Sequence, residues 1–182
     1  MNKNLNFIPR KLNLVNIDKA ISDYKDSINS IPFSINSNDI LSFLTSIKRE
    51  KLKVGPYPEV SLFEAANRIM TDLTILFGVK YLLNGAILEL DFAEYTVEFG
   101  NENKNDHDLM ACNGRKRLIG EAFNVSESYF YTKKSFALKK LNKSVETNQI
   151  KLLLFNSEAK ANHLNPKISE NEFHFPVKFT LL

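Results

Sequence analysis

The apolar residues of this chain change period midway, and that change limits the folds open to it. Up to about residue 83 they recur at helical spacing, whereas from Ile87 onward they alternate. Helical stretches followed by alternating ones predict helices packed on a mixed sheet. Asn16 can cap a first helix carrying Ile17, Ala20, Ile21, Tyr24 and Ile28 on one stripe, with Pro32 as its stop. A second helix, starting near Ser37 to Asp39, is expected to turn Ile40, Leu41, Phe43, Leu44 and Ile47 inward. Gly55, Pro56 and Pro58 make the segment from Lys51 to Pro58 a loop. Ser61 and Glu64 then form a capping box ahead of Leu62, Ala65, Ala66, Ile69, Leu73, Leu76 and Phe77, the expected buried stripe of a third helix. Gly78 is a natural stop, although the apolar pattern resumes through Leu83. Arg68 and Asp72, four residues apart on this helix, are expected to pair as ions.

In the alternating half, residues 87–91, 95–99, 108–112 and 118–125 read as strands. Ser126 caps a helix that runs to about Leu141, where Asn142 can end it. Residues 150–155 and 173–182 close the sheet, with Pro176 moving the last strand towards an edge. The expected class is therefore α/β (α+β): a mixed sheet flanked by helices, with a helical N-terminal segment. At 182 residues one domain spanning 1–182 is expected, with a helical subregion over 1–55 and a core over 61–155.

Composition removes several function classes. A single cysteine, Cys112, excludes an intramolecular disulfide and a cysteine-based zinc site. Six glycines supply no phosphate-cradling loop, and no nucleophile elbow or His-Glu-x-x-His helix occurs. The three histidines, His107, His163 and His174, are widely separated. Residues 1 to 19 lack the continuous apolar core of a signal peptide, and no apolar run approaches a membrane span, so no membrane partner and a cytoplasmic location are expected.

The net charge of +3 is unevenly distributed. Residues 104–143 hold 9 basic and 4 acidic side chains, whereas residues 1–103 hold 11 and 13. Within that basic stretch an acidic residue, Asp108, begins one strand, and a second, Glu121, sits in the middle of the next. The turn 113–117 between them predicts a hairpin. Glu121 alternates with Ile119, Phe123 and Val125 on one face. A carboxylate there is costly unless it is paired, protonated or bound to a metal. Two such groups on adjacent strands suit a hard divalent cation.

The arrangement resembles the PD-(D/E)XK, or restriction endonuclease-like, nuclease superfamily, over residues 61–155. In that family an α-β-β-β-α-β core carries an acidic residue on its second strand and Glu-x-Lys on its third. Asp108, followed by Leu-Met-Ala, looks like the first position and Glu121 like the second. Glu64, on the preceding helix, corresponds to a third metal ligand. The resemblance implies Mg²⁺ (or Mn²⁺) as cofactor, DNA as partner and hydrolysis of phosphodiester bonds, with a homodimer joined through the first 55 residues.

One position departs from the pattern: Phe123 stands where the motif lysine belongs. Some members supply this lysine from the following helix. With Phe130 at 0° and about 100° per residue, Lys134 lies near 40° within the apolar face, and Lys133 lies near 300° at its edge. Lys139 and Lys140 are read as pointing away. Lys134 is therefore the first expectation for the displaced lysine and Lys133 the second. Arg115, Lys116, Arg117, Lys139 and Lys140 are expected to track the DNA backbone. The alternative is a catalytically inactive nuclease-fold module that binds nucleic acid or protein, a reading that Phe123 favours.

Overall fold

The computed structural model describes residues 5–32, 39–100, 102, 104–114, 116–143, 149–160 and 166–179. Among these there are four α-helices, and seven strands form one open mixed sheet. The strands are β1 (Lys11–Asn13), β2 (Glu94–Val97), β3 (Leu109–Cys112), β4 (Arg117–Phe123), β5 (Gln149–Asn156), β6 (Lys167–Ser169) and β7 (Glu172–Val177). The helices are α1 (Ile17–Asn29), α2 (Ile40–Arg49), α3 (Leu62–Leu83) and α4 (Phe130–Leu141). The strand order is β1-β2-β3-β4-β5-β7-β6. The pairs β1–β2, β2–β3 and β3–β4 are antiparallel, β4–β5 and β5–β7 are parallel, and β6 returns antiparallel to β7.

The two faces of the sheet are chemically different. On one, Leu12, Tyr95, Val97, Leu109, Leu118, Leu152 and Leu154 pack with α1 and α3 into the large core. Ser61 caps α3 by accepting from the Glu64 N–H at 3.2 Å. The helix continues without a break through Gly78 to Leu83, because glycine there brings helix and sheet together: a Cβ at that position would meet Leu154 at 2.7 Å. On the opposite face a smaller cluster of Phe123, Phe130, Leu153, Phe155 and Ala159 seats α4 over β4 and β5. The Phe123 and Phe155 rings stack at 6.1 Å.

Several expectations need correction. Residues 87–91 form a turn, not a strand: the Leu90 N–H donates to the Ile87 carbonyl at 3.0 Å, and both side chains are buried. The N-terminal region contributes the strand β1 as well as helices. Phe43 and Ile47 of α2 are half-buried, but Ile40, Leu41 and Leu44 are exposed. Asn16 does not cap α1; its side chain turns back, accepting from the Asn13 N–H and donating to the Lys11 carbonyl. A 3₁₀ turn at Glu127–Tyr129 precedes α4, and Ser126 makes no side-chain cap there. β7 is second from the edge, flanked by β6. Pro176 lies beyond the β6 register, so its missing N–H removes no ladder bond to that strand.

Arg68 and Asp72 do not pair. Arg68 reaches Glu64, and its guanidinium lies over the Tyr57 ring. Asp72 is fully buried, accepting from the Tyr24 and Tyr57 hydroxyls and, at 3.0 Å, from the Gly100 N–H. Burial pushes the Asp72 carboxyl up to about 7, even though the hydrogen bonds from the two tyrosines oppose the shift. Gly100 is required at this junction. Its φ is +59°, and a Cβ would meet the Tyr57 ring at 2.7 Å.

Candidate functional site

Backbone pairing places three carboxylates in one row. Thr96 pairs with Met110 and Val97 with Leu109, so the next position sets Glu98 beside Asp108, joined by the Glu98 N–H to Asp108 carbonyl bond of 2.9 Å. Leu109 pairs with Gly120, which sets Asp108 opposite Glu121. Cross-strand neighbours project to the same side, so all three lie on the face that carries α4. They occupy the end of the sheet where β2 and β4 finish and β3 begins.

Each carboxylate is held differently. Asp108 is half-buried and accepts from the Ala122 N–H at 2.9 Å through one oxygen. Glu121 is buried. One of its oxygens lies 2.7 Å from His107 Nδ1, and the other accepts from Lys140 Nζ at 2.8 Å. Glu98, also buried, accepts from the backbone N–H groups of Lys104 and Asn105, at 3.2 and 2.6 Å, so it orders the loop leading into His107 and Asp108.

The electrostatics follow from this crowding. Burial, and then the charge of Glu121, push the Asp108 carboxyl up to about 6. Burial also pushes Glu121 up to about 6, against the opposing hydrogen bond from Lys140. Burial works against the Lys140 ammonium, but its bond to Glu121 and the charge of Asp108 outweigh that and raise its pKa. The His107 imidazole is lowered, first by burial and then by Lys140, so at neutral pH it is the neutral ring that meets Glu121.

The lysine beside the acidic pair is Lys140, and not Lys134. On the helical wheel Lys140 falls near 280°, about 20° from Lys133 and about 80° from the apolar centre. A long side chain starting at the edge of the buried face can extend along the helix flank to the sheet. At the centre it would have to displace the aromatic cluster. Lys134 is half-buried and makes no ion pair with a described residue. Phe123, at the motif-lysine position, is buried against Phe130 and Phe155.

Beside the row lies an open cleft of about 600 Å³ between the first half of α3 and the start of α4. Asp108, Ala122 and Asn124 contribute from the sheet end, Asn67 from α3, and Tyr129 and Lys133 from the opposite side. Lys133 therefore serves the cleft while Lys140, seven residues on, serves Glu121. Buried Asn156 shapes the strand exit by accepting from the Val125 N–H at 2.9 Å and donating to the Val125 carbonyl at 3.0 Å.

The remaining expected site residues are elsewhere. Glu64 is half exposed and ends in its pair with Arg68, so it does not join the row; the third carboxylate is Glu98. Arg115 lies outside the described residues. Lys116 and Arg117 are exposed at the far end of the β3–β4 hairpin. Arg117 precedes Glu121 by four strand residues, roughly 13 Å. Lys116 and Arg117 therefore do not rim the carboxylates. Lys139 is exposed and lies over the Phe136 ring. His163 is outside the described residues. His174 is buried on β7, with Nε2 2.7 Å from Glu172.

Sequence reasoning missed Glu98 and gave Lys140 another role, contact with the DNA backbone, where the structure joins it to Glu121. Strand alternation over residues 95–99 puts Glu98 on the face opposite Tyr95, Val97 and Phe99, which was the available signal. Among the described residues no three His, Cys, Asp or Glu side chains form a ready-made metal-ligating group, and no helix is long and apolar enough to cross a membrane. No family model matches this chain, and no curated protein or solved structure is significantly similar to it.

Proposed function

We propose that the chain is a metal-dependent nuclease of the restriction endonuclease-like type, hydrolysing phosphodiester bonds in DNA. The observation that carries this reading is the row Glu98–Asp108–Glu121 with Lys140 bonded to Glu121 from the next helix. The strand sequence β2-β3-β4-α4-β5, with its antiparallel hairpin followed by a parallel crossover, supports the same family resemblance.

The donor set fits a hard cation. Mg²⁺ is commonly held by one or two carboxylates, with waters and substrate phosphate oxygens completing its shell, so a ready-made cage of three side chains is unnecessary. Asp108 and Glu121 would hold Mg²⁺ or Mn²⁺. Such an ion lowers the pKa of bound water and neutralises charge that develops on the phosphate. Lys140, kept cationic by its acidic neighbours, would supply a fixed positive charge towards the scissile group. His107 would orient the Glu121 carboxylate through Nδ1. Lys133 would bind a phosphate oxygen within the cleft. Water would attack phosphorus and give up a proton to solvent, the bond to the leaving oxygen would break, and that oxygen would take up a proton.

The reading extends to a cytoplasmic enzyme. The exposed Ile40, Leu41 and Leu44 of α2 support pairing with a second copy through the N-terminal region. A second reading, a catalytically inactive binding module, draws on the fact that both oxygens of Glu121 are already engaged, by His107 and Lys140. Cleavage of labelled single-stranded and duplex DNA with Mg²⁺ or Mn²⁺ separates the two. Wild-type cleavage that is lost on chelation and in Glu121→Ala supports the nuclease. Binding without cleavage under either metal supports the module.

A further inference from the structure

We infer that the cleft between α3 and α4 receives an unpaired strand of nucleic acid, with nucleobases stacked on Phe63 and Tyr129; this deepens the nuclease reading and rests on it. Phe63 and Tyr129 line the same cleft from its two sides, yet they are 53% and 49% exposed. Neither ring is used to fill the core. Phe63 begins a stripe on α3, continued by Asn67 and Thr71 at four-residue spacing, and all three face the cleft. Lys48 of α2 lies over the Phe63 ring at 5.5 Å, which brings a cation to the rim beside that aromatic surface.

The charge and size of the cleft discriminate between single strand and duplex. Among the described residues, Asp108 and Lys133 are its only formally charged lining residues, and the rest are aromatic, apolar or neutral polar. A groove that follows duplex backbone relies on several cations placed along two phosphate strands, and Lys116 and Arg117, which could supply them, are at the opposite end of the sheet. Duplex readout also requires an element that enters a groove of the DNA. Here the geometry is reversed, because Asp108 lies inside the cleft and the phosphodiester must come in to it. The volume of about 600 Å³ suits one or two nucleotides. Cations beside exposed aromatic faces are the chemistry that holds unpaired bases without strong sequence preference, and here Lys133 in the cleft and Lys48 at its rim stand beside Tyr129 and Phe63.

The test is fluorescence anisotropy in EDTA, so that no cleavage occurs, using labelled oligodeoxythymidine and a duplex of matched length. Wild type, Phe63→Ala, Tyr129→Ala and Phe136→Ala are compared, the last as an exposed aromatic not among the cleft-lining residues. Because Phe63 and Tyr129 are half exposed, their substitution leaves the core intact, and circular dichroism verifies the fold. The expected result is at least tenfold tighter binding of the single strand than of the duplex. Phe63→Ala and Tyr129→Ala should each weaken it by roughly 5- to 150-fold, while Phe136→Ala leaves it unchanged. Equal or tighter duplex binding, no binding of either probe, or losses in the cleft variants no larger than in Phe136→Ala would overturn the inference. Cleavage in Mg²⁺ is scored separately. Single-strand binding without cleavage leaves the strand inference standing and removes the nuclease reading, whereas cleavage with duplex preference does the reverse.

Discussion

Two carboxylate sites in this molecule are wired in opposite ways. Asp72 sits among neutral donors, the Tyr24 and Tyr57 hydroxyls and the Gly100 N–H, and Arg10 is a minor influence on it. Asp108 and Glu121 face each other and Glu98, with the Lys140 ammonium and the His107 ring on Glu121. The first arrangement completes a carboxylate's hydrogen bonds and ties α1, α3 and the strand exit together. The second assembles like charges beside a cation at the edge of an open cleft, an unfavourable layout for a purely structural site. The contrast separates a carboxylate that ties elements of the fold together from a carboxylate cluster beside an open cleft.

The largest expected effect is on catalysis and tests the lysine assignment. Lys140→Ala should slow phosphodiester cleavage by about 10²–10³-fold, the usual loss when one preorganised charge-stabilising group is removed. Lys134→Ala should leave the rate unchanged. Equal losses in the two variants would erase the distinction between the edge and the centre of α4.

Next in size is a stability effect at the other site. Tyr57→Phe removes a donor to a buried carboxylate and should cost about 1–3 kcal/mol in urea denaturation. The cleavage rate per folded molecule should stay at the wild-type value in Tyr24→Phe, which disturbs Asp72 from α1. A loss of activity without a loss of stability in Tyr24→Phe would mean that the two sites are coupled.

A smaller effect is a pH slope. The Asp72 pKa lies at about 7 in the folded chain against an ordinary value of 3.8, so the folded state binds more protons between those limits. Stability is therefore greatest below about pH 4 as far as Asp72 is concerned, and falls as pH rises towards 7. Asp108 and Glu121, at about 6, add a slope of the same sign that ends nearer pH 6. Asp72→Asn should flatten the pH 6–7 part of the profile and leave a residual slope below it. An unchanged profile would show that Asp72 is ionised throughout.

The parts of this architecture that were legible in the sequence are those whose signals are local. Ser61 and Glu64 mark the start of α3 because capping needs only three residues of spacing. Asp108 and Glu121 could be paired in advance because one short turn joins their strands. Glu98 was harder, since its place in the row depends on the register of a third strand reached through a longer loop. Lys140 was misplaced because a helical wheel gives azimuth alone. How α4 rolls against the sheet is decided by Phe123, Phe130 and Phe155 packing beneath it. β1 and β6 have three residues each, too few to show alternation. The partners of Asp72 lie 48, 15 and 28 residues away in sequence, so its pairing with Arg68 looked equally reasonable.

The most direct test of the central claim, that Asp108 and Glu121 form a cation site served by Lys140, is Mn²⁺ binding measured by electron paramagnetic resonance. The account predicts saturable binding by the wild-type chain, weakened at least tenfold in Asp108→Asn and unaffected in Asp72→Asn. Mn²⁺ binding that is absent from the folded wild type, or that survives Asp108→Asn unchanged, would contradict it.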